Sequence, residues 1–167
     1  MTAEAFPKMA LRPFLPDDGP LLADIFRESI AELTGDDYSE AQQEAWAAAA
    51  DDERAFATKL AKVTTVVATL GGSPVGFAAL VGTDAIDMLY VHPAVSRQGV
   101  GTMLLDALEK LAAGRGAGRL TVDASDSART FFETRGYAPQ RRNSVSRAGE
   151  WLANTTMQKT LEKASKP

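Results

Sequence analysis

The sequence predicts one α/β domain built on a mixed, mostly antiparallel sheet of about seven strands with about four helices packed against it. Three observations carry this. Between residues 64 and 93, three β-branched apolar runs follow one another with only "GG" and "GTD" between them, the pattern of an antiparallel meander. An amphipathic stretch opening at residue 100 stands between two strand-like runs, and strand–helix–strand units are usually crossovers joining parallel strands. The chain then closes on two long runs around "AG", which read as a hairpin.

Taken in order, "MALRPF" (9–14) is a short strand. "PDDGPLLADIFRESIAELTG" is a helix in which Leu21, Leu22, Ile25, Phe26, Ser29 and Leu33 recur at helical spacing, with Gly35 as its stop. A second helix opens at "YSEAQQEAWAAAA", where Ser39 and Gln42 form a capping box, and "DDERAFATKLAK" adds another turn or two. "TTVVATL", "SPVGFAALVG" and "DAIDMLYVHP" are the meander. Val100, Met103, Leu104, Ala107, Leu108 and Leu111 line one face of the next helix, which ends at "GRGAG". "RLTVDAS" is a fifth strand, expected parallel to "AIDMLYV". "DSARTFFETRG" is a short helix capped by Ser125 or Asp126 and ended by Gly136; "YAPQRRNSVSR" and "EWLANTTMQKTL" form the closing hairpin. No repeat or internal linker divides residues 1–167, and 161–167 read as a loose tail.

Composition narrows the chemistry. With 167 residues, 45% of them hydrophobic, the chain can bury a sizeable core. It has no cysteine, which removes disulfides, thiolate catalysis and Cys-ligated zinc, and its one histidine, His92, is all that a Ser-His-Asp triad has to rest on. A net charge of -4 argues against a nucleic-acid partner, which needs a basic face. No run approaches the roughly 20 apolar residues of a membrane span, and "MTAEAFPKMALRPFLPDD" lacks a basic-then-apolar leader. The expectation is a cytoplasmic protein without membrane or nucleic-acid partners.

The informative stretch is "VSRQGVGTML" (95–104). A helix leaves its first N–H groups unpaired, and its dipole places partial positive charge there. Glycines let the preceding loop gather such groups without a side chain in the way, so "RQGVGT" at a helix start suits a phosphate or diphosphate, with Arg97 adding a cation at the rim. The same glycines also suit a tight turn or close packing, and the residues alone leave both readings open. The triphosphate P-loop needs a lysine between glycine and threonine, which "GT" lacks. A dinucleotide fingerprint would need glycine at Leu104 and a strand ending directly before Gly99, although Asp123 stands near where its ribose-binding acid belongs. A nicotinamide-dependent enzyme is therefore disfavoured.

"DMLYVHPAVSRQGVGTMLLDALE" resembles the acetyl-coenzyme A signature of the GCN5-related N-acetyltransferase (GNAT) superfamily. The resemblance continues through "VDASDSARTFFETRGYAP" to "WLANTTMQKTL", spans nearly the whole chain and points to a small bacterial member. It implies that the fourth and fifth strands splay apart and that the pantetheine arm of acetyl-CoA lies in the gap, bonded as an added strand would be. Leu89, Tyr90 and Val91 match the fourth-strand positions beside that arm, which also suit sheet core. Gln98, Gly99, Val100, Gly101 and Thr102 match the amides that hold the diphosphate. Ser125, Ala128, Phe131 and Phe132 match the other wall.

Three residues depart from the family pattern. Ser96 stands where Arg or Gln is usual, which leaves one phosphate contact missing or supplied by Arg97. Ser125 replaces a frequent Asn, and Phe132 stands where the family often has a general-acid tyrosine. Tyr90, Tyr137 and Tyr38 are the alternative proton donors. A leaving thiol of pKa about 8.5 tolerates that loss, whereas an amine of pKa about 10.4 needs a base. The candidate is Asp87, expected to share the strand face of Leu89 and Val91, with an edge carboxylate as its plainer role. His92, in the "VHP" turn, reads as structural. Tyr38, Gln43 and Trp46 of the helical arm are candidates for gripping the acceptor, against core packing for Trp46.

The function implied is acetyl transfer from acetyl-CoA to a primary amine, on a small molecule or a peptide, by direct attack with both substrates bound. No metal is called for, and a homodimer is possible. The alternative, prompted by Phe132, is a non-catalytic acyl-CoA-binding sensor of the same fold.

Overall fold

The computed structural model describes residues 8–162. Strand β1 (Met9–Pro13) leads through a 3-10 turn into helix α1 (Gly19–Leu33). Asp18, in that turn, is buried at 4% exposure because Arg12 of β1 donates two hydrogen bonds to its carboxylate, at 2.7 and 2.8 Å. The Arg12 guanidinium holds that carboxyl below its ordinary pKa and ties the first strand to the first helix. Helix α1 ends one residue before Thr34, whose hydroxyl donates to Ile30 O, so a side chain closes it ahead of Gly35.

Helix α2 (Glu40–Ala47) carries the Ser39/Gln42 capping box that its sequence predicts. The segment after it is more than a turn or two: it forms a separate ten-residue helix, α3 (Glu53–Lys62), N-capped by the Asp52 side chain. Strands β2 (Thr64–Leu70), β3 (Ser73–Val81) and β4 (Ala85–Val91) form the meander. Helix α4 (Val100–Gly114) and strand β5 (Arg119–Ser125) follow. Helix α5 is short (Arg129–Glu133) and has no side-chain cap at its N-cap, Ala128; Ser125 Oγ instead accepts the Ala128 N–H of the preceding turn. Strands β6 (Ala138–Arg147) and β7 (Glu150–Thr160) meet at Ala148 and Gly149, both at positive φ, the geometry of a tight two-residue hairpin turn.

The seven strands run in the order β1-β2-β3-β4-β5-β7-β6, and only β4 and β5 are parallel. Helices α1 and α3 cover one face around Leu22, Phe26, Phe56, Leu60 and Phe77. Helix α4 covers the other around Leu80, Leu104, Leu108, Leu120 and Met157. Leu161, assigned from sequence to a loose tail, is 8% exposed in this second cluster, and its N–H bonds Gly118 O at 2.9 Å. Residues 163–167 of that tail, and residues 1–7, lie outside the described residues.

Two local events open the sheet. First, β4 and β5 pair only at Ala85–Thr121 and Ile86–Val122; beyond that they separate, while β5 stays paired with β7 as far as Ser125–Asn154. Second, the β3–β4 register passes from Ala79–Met88 to Leu80–Ile86, leaving Asp87 as an extra residue in β4. Such a bulge reverses the alternation of faces along a strand. Asp87 therefore does not share the face of Leu89 and Val91. Those two pack with α4, whereas Asp87 meets Lys59 of α3 at 3.6 Å, on the side of Met88 and Tyr90.

Candidate active site

Where β4 and β5 part, a cleft of about 800 Å³ runs through the sheet. The start of α4 and the Phe131–Phe132 pair flank one end, and the α1–α2 arm with the tip of the β6–β7 hairpin flanks the other. His92 N–H bonds Val75 O of β3 at 2.8 Å. Strand alternation then turns Tyr90 and Met88 toward β3 as well, and aims the N–H and C=O groups of Leu89 and Val91 at the gap. No strand occupies that edge beyond Ile86, so a row of unpaired backbone groups faces the cleft.

The first end is built to hold an anion. Unlike α2 and α3, helix α4 has no side-chain cap, and its N-cap, Gly99, is left-handed at φ 87°. The first helical bond there is Met103 N–H to Gly99 O at 3.0 Å; among the described residues no backbone acceptor takes the N–H groups of Gly99, Val100, Gly101 or Thr102. A Cβ on Gly101 would stand 3.1 Å from Phe131 Cε1, so glycine is what allows the two walls to approach. Arg135 lies 3.8 Å over the Phe131 ring and donates to Thr102 Oγ1 at 2.5 Å, which fixes a guanidinium beside the bare amides. Ser96 and Arg97 also line this end. Gln98 and Val100 do not: the Gln98 N–H goes to Val95 O at 3.3 Å, and the Val100 side chain is buried in the core, leaving only its N–H for a ligand.

Leu89, Tyr90 and Val91 line the β4 wall, and Ser125, Ala128, Phe131 and Phe132 the β5–α5 wall. Phe132 is buried edge-on to Phe131 and Tyr137, at centroid distances of 5.2 and 5.3 Å, and brings no proton to the cleft. Nor does Tyr137. It lies outside the cleft lining and donates to Glu109 Oε2 at 2.8 Å; burial, with that bond, raises its pKa.

The second end has three aromatic side chains. Tyr90 rests edge-on to Phe26 (4.7 Å), and its hydroxyl accepts Trp46 Nε1–H at 3.2 Å. Burial raises the Tyr90 pKa, so this phenol keeps its proton and can donate a hydrogen bond but not act as a base. Trp46 lines the cleft and serves the core at once, stacked edge-on against Tyr38 at 5.4 Å. Tyr38 is not an exposed lid: at 6% exposure it donates to Ala153 O at 2.6 Å and accepts from Asp126 N at 2.9 Å. These groups lie just past the last β5–β7 pair, so the phenol replaces the next rung of the ladder and spreads the strands. Gln43 is absent from the cleft; its amide donates to Ile30 O and Thr34 Oγ1, both at 3.0 Å, closing the end of α1. Asp87 lines the cleft with its side chain 27% exposed. His92 is committed elsewhere, its Nδ1 accepting Ala94 N–H and its Nε2 meeting Glu28.

Sequence reasoning missed Arg135, Val145, Arg147, Leu152 and the side chain of Asn154, all of which line the cleft. Val145 and Leu152 are cross-strand partners two pairs from an unambiguous "AG" turn, so counting outward from the turn places them on one face with Arg147. Asn154 is oriented by a relay: Thr156 donates to Asp123 at 2.6 Å, and Asn143 donates to both Thr156 Oγ1 and Asn154 Oδ1, which leaves the Asn154 amide N–H groups as free donors. Among the described residues no group of His, Asp or Glu side chains is arranged to hold a metal, and no helix is long and apolar enough to cross a membrane.

This geometry agrees with what the chain resembles. The family model described as "Acetyltransferase (GNAT) domain" matches residues 34–161, which span α2 to β7 and all of the cleft lining except Ser29 and Leu33. An Escherichia coli K12 protein named "Uncharacterized N-acetyltransferase YafP" is 36% identical over 147 residues, 88% of this chain and 93% of that one. A GCN5-related N-acetyltransferase of Rhodopseudomonas palustris, solved by crystallography, is 60% identical with a TM-score of 0.91, over 96% of this chain and 100% of that one. The PaiA N-acetyltransferase of Thermoplasma acidophilum, solved with coenzyme A, shares the fold at a TM-score of 0.74, covering 92% and 99% of the two chains, with only 16% identity. The split β4–β5 pair, the uncapped glycine-led helix between them and these matches have one common reading: the chain belongs to the GCN5-related N-acetyltransferase (GNAT) family and is an N-acetyltransferase.

Proposed function

We propose that this enzyme moves the acetyl group of acetyl-CoA onto a primary amine by direct attack, with both substrates in the cleft. One observation carries the reading: a single passage through the sheet joins an uncapped helix N-terminus to an aromatic and acidic chamber, lined between by unpaired strand backbone. The cradle suits the cosubstrate in charge, since the N–H groups at Gly99–Thr102, with Arg97 and Arg135 beside them, match a diphosphate. The Leu89 and Val91 backbone groups fit an amide-bearing arm laid along them as an added strand. Relatives of the same fold have been solved with acetyl-CoA or CoA, among them YncA of Salmonella typhimurium and PaiA.

Acetyl-CoA supplies an activated thioester; the chain supplies position and charge. Tyr90, holding its proton, donates a hydrogen bond toward the departing sulfur in place of the proton that Phe132 lacks. Asp87, drawn to the chamber side by the bulge and steadied by Lys59, takes the proton of the attacking ammonium through water. The chain has no cysteine, and His92 is held outside the cleft, which favours direct attack over an acyl-enzyme.

Thiol release from acetyl-CoA in the presence of single amines tests the reading. Turnover with at least one amine supports it. Tight CoA binding without turnover on any amine favours the second reading, a sensor, which Phe132 motivates.

A further inference from the structure

Three arginines line the cleft, and among the described residues none of them has a carboxylate partner; Arg12, Arg129 and Arg142 each have one and Arg27 has two. Arg97 and Arg135 stand at the anion cradle. Arg147 stands at the opposite end, the last residue of β6 before the turn, and among the described residues its guanidinium makes one hydrogen bond, a long one of 3.4 Å to its neighbour Ser146 O. Its cross-strand partner Glu150 does not reach it as an ion pair. The hairpin that carries Arg147 is fixed over the chamber by two bonds from the helical arm, Tyr38 to Ala153 O at 2.6 Å and Gln42 to Trp151 O at 2.8 Å. Arg147 is therefore a cation on an anchored hairpin, with no carboxylate among the described residues paired to it.

Asp87 occupies the other side of the same chamber. Tyr90 lines the same chamber as both side chains, Asp87 favouring its protonated phenol and Arg147 opposing it. The cleft lining also brings Leu33, Trp46, Val145 and Leu152, with Ser29, Thr34 and Asn154 as polar neighbours. A chamber with a carboxylate on one side, an unpaired guanidinium on the other and an apolar floor matches a zwitterion with an apolar body.

We propose that the acceptor is a primary amine that also carries a carboxylate, such as a free apolar amino acid, with its amine directed to Asp87 and its carboxylate held by Arg147. This rests on the acetyl-transfer reading above and names its substrate class. A guanidinium binds a carboxylate through two parallel N–H donors, which an amide or ester cannot match. A peptide N-terminus or a polyamine has no carboxylate near the amine and would leave Arg147 unpaired.

The test compares matched acceptors in the full-length enzyme with acetyl-CoA, following thiol release. The sets are leucine, leucinamide and isoamylamine; phenylalanine, phenylalaninamide and phenethylamine; 6-aminohexanoate and 6-aminohexanamide. The expected result is a kcat/KM for the acid about tenfold to a hundredfold above that of its amide, the scale of one charge-assisted contact. Arg147→Ala removes the preference, bringing the acid and the amide of each set to the same kcat/KM, and Arg147→Lys restores part of it. Amides used as well as acids by the wild type, or a preference that survives Arg147→Ala, overturns the proposal while leaving acetyl transfer intact. If no member is acetylated, tryptophan fluorescence titration in the presence of CoA decides. Acid binding that is lost in Arg147→Ala keeps the carboxylate site and removes the transfer reading, and equal binding of acid and amide removes the site.

Discussion

Replacing Tyr38 by Phe tests the assignment of its hydroxyl to architecture. The ring, edge-on to Trp46 at 5.4 Å, remains, so the packing is retained. What disappears is one oxygen that donates to Ala153 O at 2.6 Å and accepts from Asp126 N at 2.9 Å. Each stranded backbone group costs about 1–3 kcal/mol, and the lower end applies because Asp126 is partly accessible to water; together they amount to about 2 kcal/mol. In a chain of this length each kcal/mol moves Tm by about 2–4 °C, so Tyr38→Phe should melt about 4–8 °C lower by circular dichroism. Because the oxygen is committed in both directions, the variant should raise KM for the amine, through a loosened hairpin, and keep the shape of the kcat–pH profile. A melting temperature within about 1 °C of wild type, or a lost limb in the pH profile without loss of stability, would refute the strut and restore Tyr38 as a proton donor.

Three further outcomes follow from the same geometry. Gly101→Glu places a carboxylate at the bare amides and against the Phe131 ring; at an effective dielectric near 20, like charges about 4 Å apart repel by about 4 kcal/mol, so CoA affinity measured by calorimetry should fall about a thousandfold. Unchanged affinity in a variant with a wild-type circular dichroism spectrum would count against the cradle. Asp87→Asn should lower turnover about 10²- to 10⁴-fold, mainly below pH 8 where the amine is charged; a profile parallel to wild type removes Asp87 as base. Burial raises the pKa of all three tyrosines, and in Tyr137 the bond to Glu109 adds to it. The unfolded chain loses those protons from about pH 10 while the folded chain keeps them, so this stabilisation is complete below that pH and is lost as pH rises through the folded values. Native protein at about pH 10 should show little tyrosinate absorbance, rising only on unfolding; ordinary titration of the folded protein contradicts the burial.

Much of the fold is legible because it rests on local rules. The Ser39–Gln42 box, the "AG" turn and the helix opening at Val100 are each fixed by residues adjacent in sequence, and each stands where those residues put it. What escaped depends on contacts remote in sequence. Gln43 reads as a cleft residue until α1 is seen to end beneath it, and Tyr38 reads as a grip on the acceptor until β5 and β7 present it with an N–H and a C=O more than eighty positions away. Arg147 escaped for the opposite reason. Its meaning lies in the lack of a partner, and no pattern in one chain shows which charges fold will leave unpaired.

Asp87 shows the limit most clearly, because there the sequence rule itself reverses. Alternation assigns Asp87, Leu89 and Val91 to one face, and without a bulge the carboxylate would point toward α4 and away from the acceptor chamber. One unmatched residue opposite Ala79 and Leu80 changes that parity, and it does so at the point where β4 leaves β5. The same extra residue therefore sends the carboxylate to Tyr90's side and leaves Leu89 and Val91 facing a strandless gap with their side chains against α4. Binding edge and acidic chamber are thus two consequences of one register shift. Parity along a strand is defined only against its partner, so a bulge is legible in the pairing of β3 with β4 and invisible in "AIDMLYV" alone.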